Sequence, residues 1–167
     1  MAEETIMAAT AKAGKYLTFT LAEEEYGLEI LKVQEIIGMM NVTRVPKTPE
    51  FVRGVINLRG KVIPVVDLRL KFGLAEQDET EKTCIIVVQV AQGDHRTIMG
   101  IIVDQVSEVM DIGGDQIEPV PSFGSSVDTT FILGMGKIGS KVLTMLDIDK
   151  VLSAGETAAM RDAAQTA

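Results

Sequence analysis

The chain has 167 residues and a mass of 18.0 kDa, enough for one domain or for two small ones that share a core. Hydrophobic residues make up 46% and charged residues 24%, which excludes disordered, collagen-like and coiled-coil compositions. With 24 acidic against 16 basic side chains, a formal charge of -8 and no basic block, the chain is not expected to bind nucleic acid.

Cys84 is the single cysteine and His95 the single histidine, too few soft ligands for a structural zinc site and no pair for an internal disulfide. No apolar run approaches the ~20 residues of a membrane span, and no basic stretch precedes an apolar block near the N-terminus. The expectation is a cytoplasmic protein without cofactors, metal or membrane insertion.

Residues 1–14 are Ala-rich without a sustained apolar period and read as a flexible tail. From there the period is two. Leu17, Phe19 and Leu21 alternate with Thr18 and Thr20, and Ile85 to Val88 and Ile101 to Val103 are β-branched runs bounded by turn residues. Strands are expected near 16–21, 25–30, 34–40, 52–58, 61–66, 84–90, 97–103, 107–112, 131–137 and 141–146. Asp67 to Phe72 and Asp147 to Leu152 each open on an acidic residue suited to capping and read as single helical turns. Residues 153–167 read as a second tail or a loose helix.

Sliding the chain over itself exposes an internal repeat. Phe51-Val-Arg-Gly54 matches Phe131-Ile-Leu-Gly134, and Asp67-Leu68 matches Asp147-Ile148, at an offset of 80 (131 − 51). Upstream, Gly27, Val33, Glu35 and Ile36 match Gly100, Val106, Glu108 and Val109 at an offset of 73 (100 − 27). Two halves with one strand order imply a mainly β fold: two similar five-stranded barrels, interleaved, the first mainly 15–80 and the second mainly 81–152. Each is small enough to need a hydrophobic interface with the other.

The sequence offers several chemical motifs, and each has a simpler reading. Gly134-Met-Gly136-Lys-Ile-Gly139 has the spacing GxGxxG, but the residues after it read as a strand, and a dinucleotide site needs a helix there. Gly54 to Lys61 misses the phosphate-loop spacing by one residue and has Val62 where Ser or Thr belongs. His95 sits in a polar hairpin tip, poorly suited to orienting a general base. No catalytic set is expected. Glu35 and Arg59, set among Ile36, Ile37, Val55, Ile56 and Leu58, are candidates for a partly buried ion pair. Val33 beside Ile36, and Val106 beside Val109, exceed what two small interiors need and could flank a groove for the apolar face of a partner helix.

The run Tyr26 to Ile36, the element Gly54-Val-Ile-Asn57-Leu58-Arg59-Gly60 leading to Asp67-Leu68-Arg69, and Gly100 to Val109 together resemble the CheW-like family of bacterial chemotaxis coupling proteins. The resemblance spans roughly residues 15–152. It implies two SH3-like barrels packed through a common core, and an adaptor without catalysis. Such an adaptor couples the cytoplasmic tips of methyl-accepting chemoreceptors to the regulatory domain of the histidine kinase CheA, and would be monomeric when free and recruited to membrane-associated arrays. A scaffold of another chemosensory pathway, for surface motility or development, is the alternative. Carried over by motif, Val33, Val106 and Val109 line the receptor groove, with Gly100 permitting close backbone approach. Glu35 and Arg59 hold the first barrel's binding face, and Asn57 and Gly54 shape the same turn. Ile30 and Ile36 lie toward the kinase, and Phe123 on the second barrel packs against a neighbouring kinase domain.

Overall fold

Period-two sequence with short turns becomes eleven strands in the computed structural model, which describes residues 13–74, 78–92, 94–121 and 129–152. They are β1 Gly14–Leu21, β2 Glu24–Glu29, β3 Val33–Gly38, β4 Val52–Leu58, β5 Lys61–Asp67, β6 Cys84–Gln92, β7 His95–Val103, β8 Gln105–Ile112, β9 Ile117–Glu118, β10 Ile132–Ile138 and β11 Lys141–Leu146. The ten expected strands are present, and the two-residue β9 is additional. Helical turns at Leu68–Lys71 and Ile148–Val151 follow Asp67 and Asp147, whose carboxylates accept from the amides of Arg69 and Asp149 at 3.0 and 3.1 Å. Both predicted tails, apart from Ala13 and Gly14, lie outside the described residues, as does Phe123.

The strands form a six-stranded sheet of order β8-β1-β2-β11-β10-β9 and a five-stranded sheet of order β3-β6-β7-β5-β4. Apart from β9 the two orders are the same once repeat equivalents are exchanged. The match extends to register. Val65 lies opposite Gly100 in one parallel pairing and Met145 opposite Gly27 in the other. A bulge follows Val52 in β4 and Ile132 in β10, and the amides of Asp67 and Asp147 donate to the carbonyls of Phe51 and Phe131. The mainly β fold with two similar modules stands as expected.

Their boundaries do not follow the halves of the sequence. The five-stranded module is one continuous stretch, β3 to β7, whereas the other combines the β1–β2 hairpin with β8 to β11. The expected division into 15–80 and 81–152 is therefore corrected. The 3-10 turn Ile30–Lys32 carries the chain from one sheet to the other after β2, and Asp104 marks the equivalent crossing after β7. Each repeat lends its first hairpin to the module built around the other.

Three apolar clusters result. Ile56, Ile63, Val65, Ile85, Val87 and Ile102 fill the five-stranded module, and Tyr16, Ile112, Ile117, Leu143 and Met145 fill the other. The largest cluster lies between them, with Leu17, Phe19 and Leu28 from one sheet and Ile86, Val88 and Ile101 from the other. Ile85 and Val87 thus face a module interior, while Ile86 and Val88 face the shared core. A strand buried on both sides reads as an unbroken β-branched run, which is what β6 shows in sequence.

Candidate functional site

β3 and β8 are repeat equivalents, and each forms an edge of its sheet. In β3, Val33 lies opposite Val88 and Ile36 opposite Ile86; in β8, Val106 lies opposite Phe19 and Val109 opposite Leu17. All four partners belong to the shared core, and cross-strand neighbours share a face. Val33 and Val106 are half-buried against that core, as is Ile30. Ile36 and Val109 lie further along and are 45% and 50% exposed. Both edges therefore carry the apolar face of the shared core out to solvent. Of the residues expected to face the receptor, Val106 and Val109 lie on the edge of one sheet and Val33 on the edge of the other, which it shares with Ile36 of the kinase set; Ile30 lies in the turn leading into that edge.

Glu35 points the other way, opposite Val87 and toward the interior side of the five-stranded module. Its carboxylate receives both terminal nitrogens of Arg59, at 2.6 and 2.7 Å. Arg59 occupies the two-residue loop between β4 and β5 with φ 52°, followed by Gly60 with φ 87°, a left-handed pair suited to the twist of a tight hairpin. Asn57 closes the turn, its Oδ1 accepting from the Gly60 amide at 2.8 Å. The hydrogen bonds from Arg59 hold the Glu35 carboxyl below the usual glutamate range, and the same bonds raise the Arg59 guanidinium. The pair forms as expected, but the partly buried setting is corrected. A hairpin tip projects into water, leaving the Arg59 side chain 70% exposed and that of Glu35 29%.

Two glycines serve other purposes than expected. Gly100 is buried in β7, where a Cβ would stand 2.6 Å from Cγ2 of Ile85, so its close approach is to a neighbour inside the sheet and not to a partner. Gly54 lies within β4, away from the turn that Asn57 closes, with φ 140°; a Cβ there would run into the carbonyl of Thr43. Thr43 and Val55 exchange two backbone hydrogen bonds of 2.8 Å, strapping the segment after β3 to β4.

Sequence reasoning missed a buried charged network. Arg69 is 1% exposed; its Nε and one terminal nitrogen donate to Asp67 at 3.0 and 2.9 Å, and its other terminal nitrogen donates to Asp104 at 3.0 Å. Arg53 reaches Asp67 at 3.2 Å, and Asp104 also accepts the amide of Ala22 at 2.8 Å. The available signal was the contrast between Asp67-Leu-Arg69 and Asp147-Ile-Asp149 in otherwise matching segments.

The GxGxxG segment spans β10 and its turn and leads into β11, not a helix, and His95 begins β7 opposite Gln92 at a hairpin tip. Among the described residues no three His, Cys, Asp or Glu side chains are grouped to hold a metal, and no helix is long and apolar enough to cross a membrane.

Paired SH3-like modules with a common core, two apolar edges and an ion-paired hairpin tip define a two-module β scaffold. The CheW-like domain family matches residues 15–156, and the chain belongs to that family. It is 42% identical over 152 residues to the chemotaxis protein CheW of Klebsiella aerogenes, covering 91% of this chain and 89% of that one. Identity to the chemotaxis protein CheW of Helicobacter pylori is 36% over 138 residues, 83% and 81% of the two chains. The crystal structure of the scaffolding protein TtCheW from Thermoanaerobacter tengcongensis superposes with a TM-score of 0.76 at 37% identity, covering 86% of this chain and 95% of that one.

Proposed function

We propose that the chain is a non-catalytic chemotaxis adaptor that couples the cytoplasmic tips of chemoreceptors to the regulatory domain of the histidine kinase CheA. It acts in the cytoplasm, as a monomer when free, and is recruited to membrane-associated arrays. The observation that carries this reading is the extension of the shared core to solvent along both edge strands, which gives one rigid body two similar apolar contact lines. Val33, Val106 and Val109 are assigned to the receptor. Ile30, Ile36, Glu35, Asn57 and Arg59 are assigned to the kinase, with Gly54 holding the hairpin's base and Phe123 contributing from the second module. Gly100 belongs to the scaffold.

Calorimetric titrations against the isolated kinase regulatory domain and against a receptor signalling fragment test the assignment. Val109→Asp should weaken receptor binding at least ~10-fold and leave kinase binding unchanged, since an exposed apolar contact is replaced by a charge that docking would desolvate. Arg59→Ala should do the converse. Absence of kinase binding by the unaltered protein at ~100 μM, where even weak specific complexes register, would overturn the adaptor reading.

A further inference from the structure

We propose that the two repeats are mutually specific binding partners: residues 13–78 and residues 79–152 select each other over a second copy of themselves. Four strand pairings cross between the repeats, β1 with β8, β2 with β11, β3 with β6 and β5 with β7. The repeats are therefore joined by hydrogen-bonded sheets as well as by the chain that connects them.

Backbone pairing cannot make the choice, because the repeats present equivalent strands. Charge can. Three described ion pairs cross the boundary: Lys15 with Asp111 at 3.1 Å, Lys32 with Asp149 at 2.7 Å, and Arg69 with Asp104 at 3.0 Å. In each the base comes from the first repeat and the acid from the second. The last two are near-equivalent contacts at the two sheet crossings, since position 69 corresponds to 149 and positions 31 and 32 correspond to 104 and 105.

Self-pairing would bring together what the native pairing separates. Two first repeats would set Lys32 against Arg69, and two second repeats would set Asp104 against Asp149. The amide of Ala22 adds a crossing contact, donating to Asp104 at 2.8 Å, while that of Ala91, within the second repeat, donates to Asp149 at 2.8 Å. Each acid thus closes a hairpin tip and receives a cation from the first repeat. Bulk charge agrees, since residues 13–78 carry nine basic and nine acidic side chains, whereas residues 79–152 carry five and eleven. Specificity arises here from the penalty on the wrong pairing as much as from the right one.

The test begins with the full chain, carrying a protease site between the exposed residues Asp78 and Glu79. After cleavage the two pieces should remain one native-mass complex with the circular dichroism of uncut protein. Denatured together and refolded, they should yield the mixed pair alone by native mass spectrometry. Separation of the pieces on cleavage, or refolding to mixed and self-pairs in statistical proportion, would overturn the proposal. Asp149→Lys supplies the positive control on mechanism, because it sets a cation against Asp104 in a self-pair of second repeats. Cut and refolded, that variant should show self-pairs absent from the unaltered protein; mixed pairs alone would remove charge as the discriminator.

Discussion

Replacing Arg69 by Met keeps an apolar stem but removes the guanidinium, whose Nε and two terminal nitrogens all donate at this buried site. Asp67 is fully buried and would retain the Arg69 amide and Arg53, the latter at 3.2 Å. Asp104, 23% exposed, would recover hydration. Removing one member of a buried ion pair costs ~3–5 kcal/mol because the other charge stays desolvated. The remaining contacts of Asp67 put this case near the lower end. At ~2–4 °C per kcal/mol for a domain of this size, a loss of ~3 kcal/mol lowers Tm by ~6–12 °C. Thermal and urea unfolding followed by circular dichroism would measure it. Asp67→Asn combined with Arg69→Met should lose less than the sum of the single changes, because no buried carboxylate is then left without its cation. A melting point for Arg69→Met within ~3 °C of the unaltered protein, or strict additivity in the pair, would refute the reasoning.

Gly54→Ala should destabilise by at least ~2 kcal/mol, since φ 140° is strained for alanine and the new Cβ displaces the Thr43 strap. Hydrogen exchange should accelerate at the Thr43 and Val55 amides, and unchanged protection there would show the strap to be independent of Gly54. The Tyr16 phenol is pushed up to about 12, first by burial and then by the charge of Glu29. Its folded pKa lies above the unfolded value of 10.0, so its contribution to stability is complete below pH 10.0 and is lost as pH rises through about 12. Burial also raises the Tyr26 phenol, so ultraviolet titration should show tyrosine ionisation displaced upward, and normal titration by both tyrosines would contradict the packing. Val33→Asp should lower stability as well as receptor binding, because Val33 rests on the shared core, whereas Val109→Asp should leave the melting point within ~2 °C. Equal melting points for the two variants would mean that Val33 does not support the core.

Much of the fold was legible because the repeat supplied a second reading of β2 to β5. Ile85 to Val88 could have been core in many architectures, and it was the matches elsewhere in the two halves that gave two modules and a shared interface. Which hairpin joins which module was not legible. β1 and β6 offer equivalent faces, so the choice between closing at home and crossing over rests on turns such as Ile30–Lys32, not on any residue pattern within the strands. At the candidate site, Asn57-Leu-Arg59 differs from Lys137-Ile-Gly139 at the equivalent turn of the other repeat, a contrast visible in the sequence. The surroundings of Arg59 suggested burial because sequence proximity to Ile36 and Leu58 does not reveal that alternate residues face opposite sides. Arg69 escaped notice for the complementary reason: in Asp-Leu-Arg-Leu-Lys it resembles the polar face of a surface turn, and only tertiary packing closes over it. Gly100, in a β-branched run, marks a close approach of neighbours, the ordinary meaning of glycine within a strand.

The exchange of hairpins also sets a timetable for synthesis. β2 pairs in parallel with β11, Leu28 standing opposite Leu146, so the first hairpin leaves the ribosome long before its partner exists. At ~5–20 residues per second, a gap of more than a hundred residues amounts to roughly 6–24 s before β2 gains its second neighbour, while β1 waits only for β8. The five-stranded module, continuous from β3 to β7, can close in that interval, and its outer surface then offers the shared core a finished template. The nascent chain thus completes its middle first and folds its beginning and end onto it last.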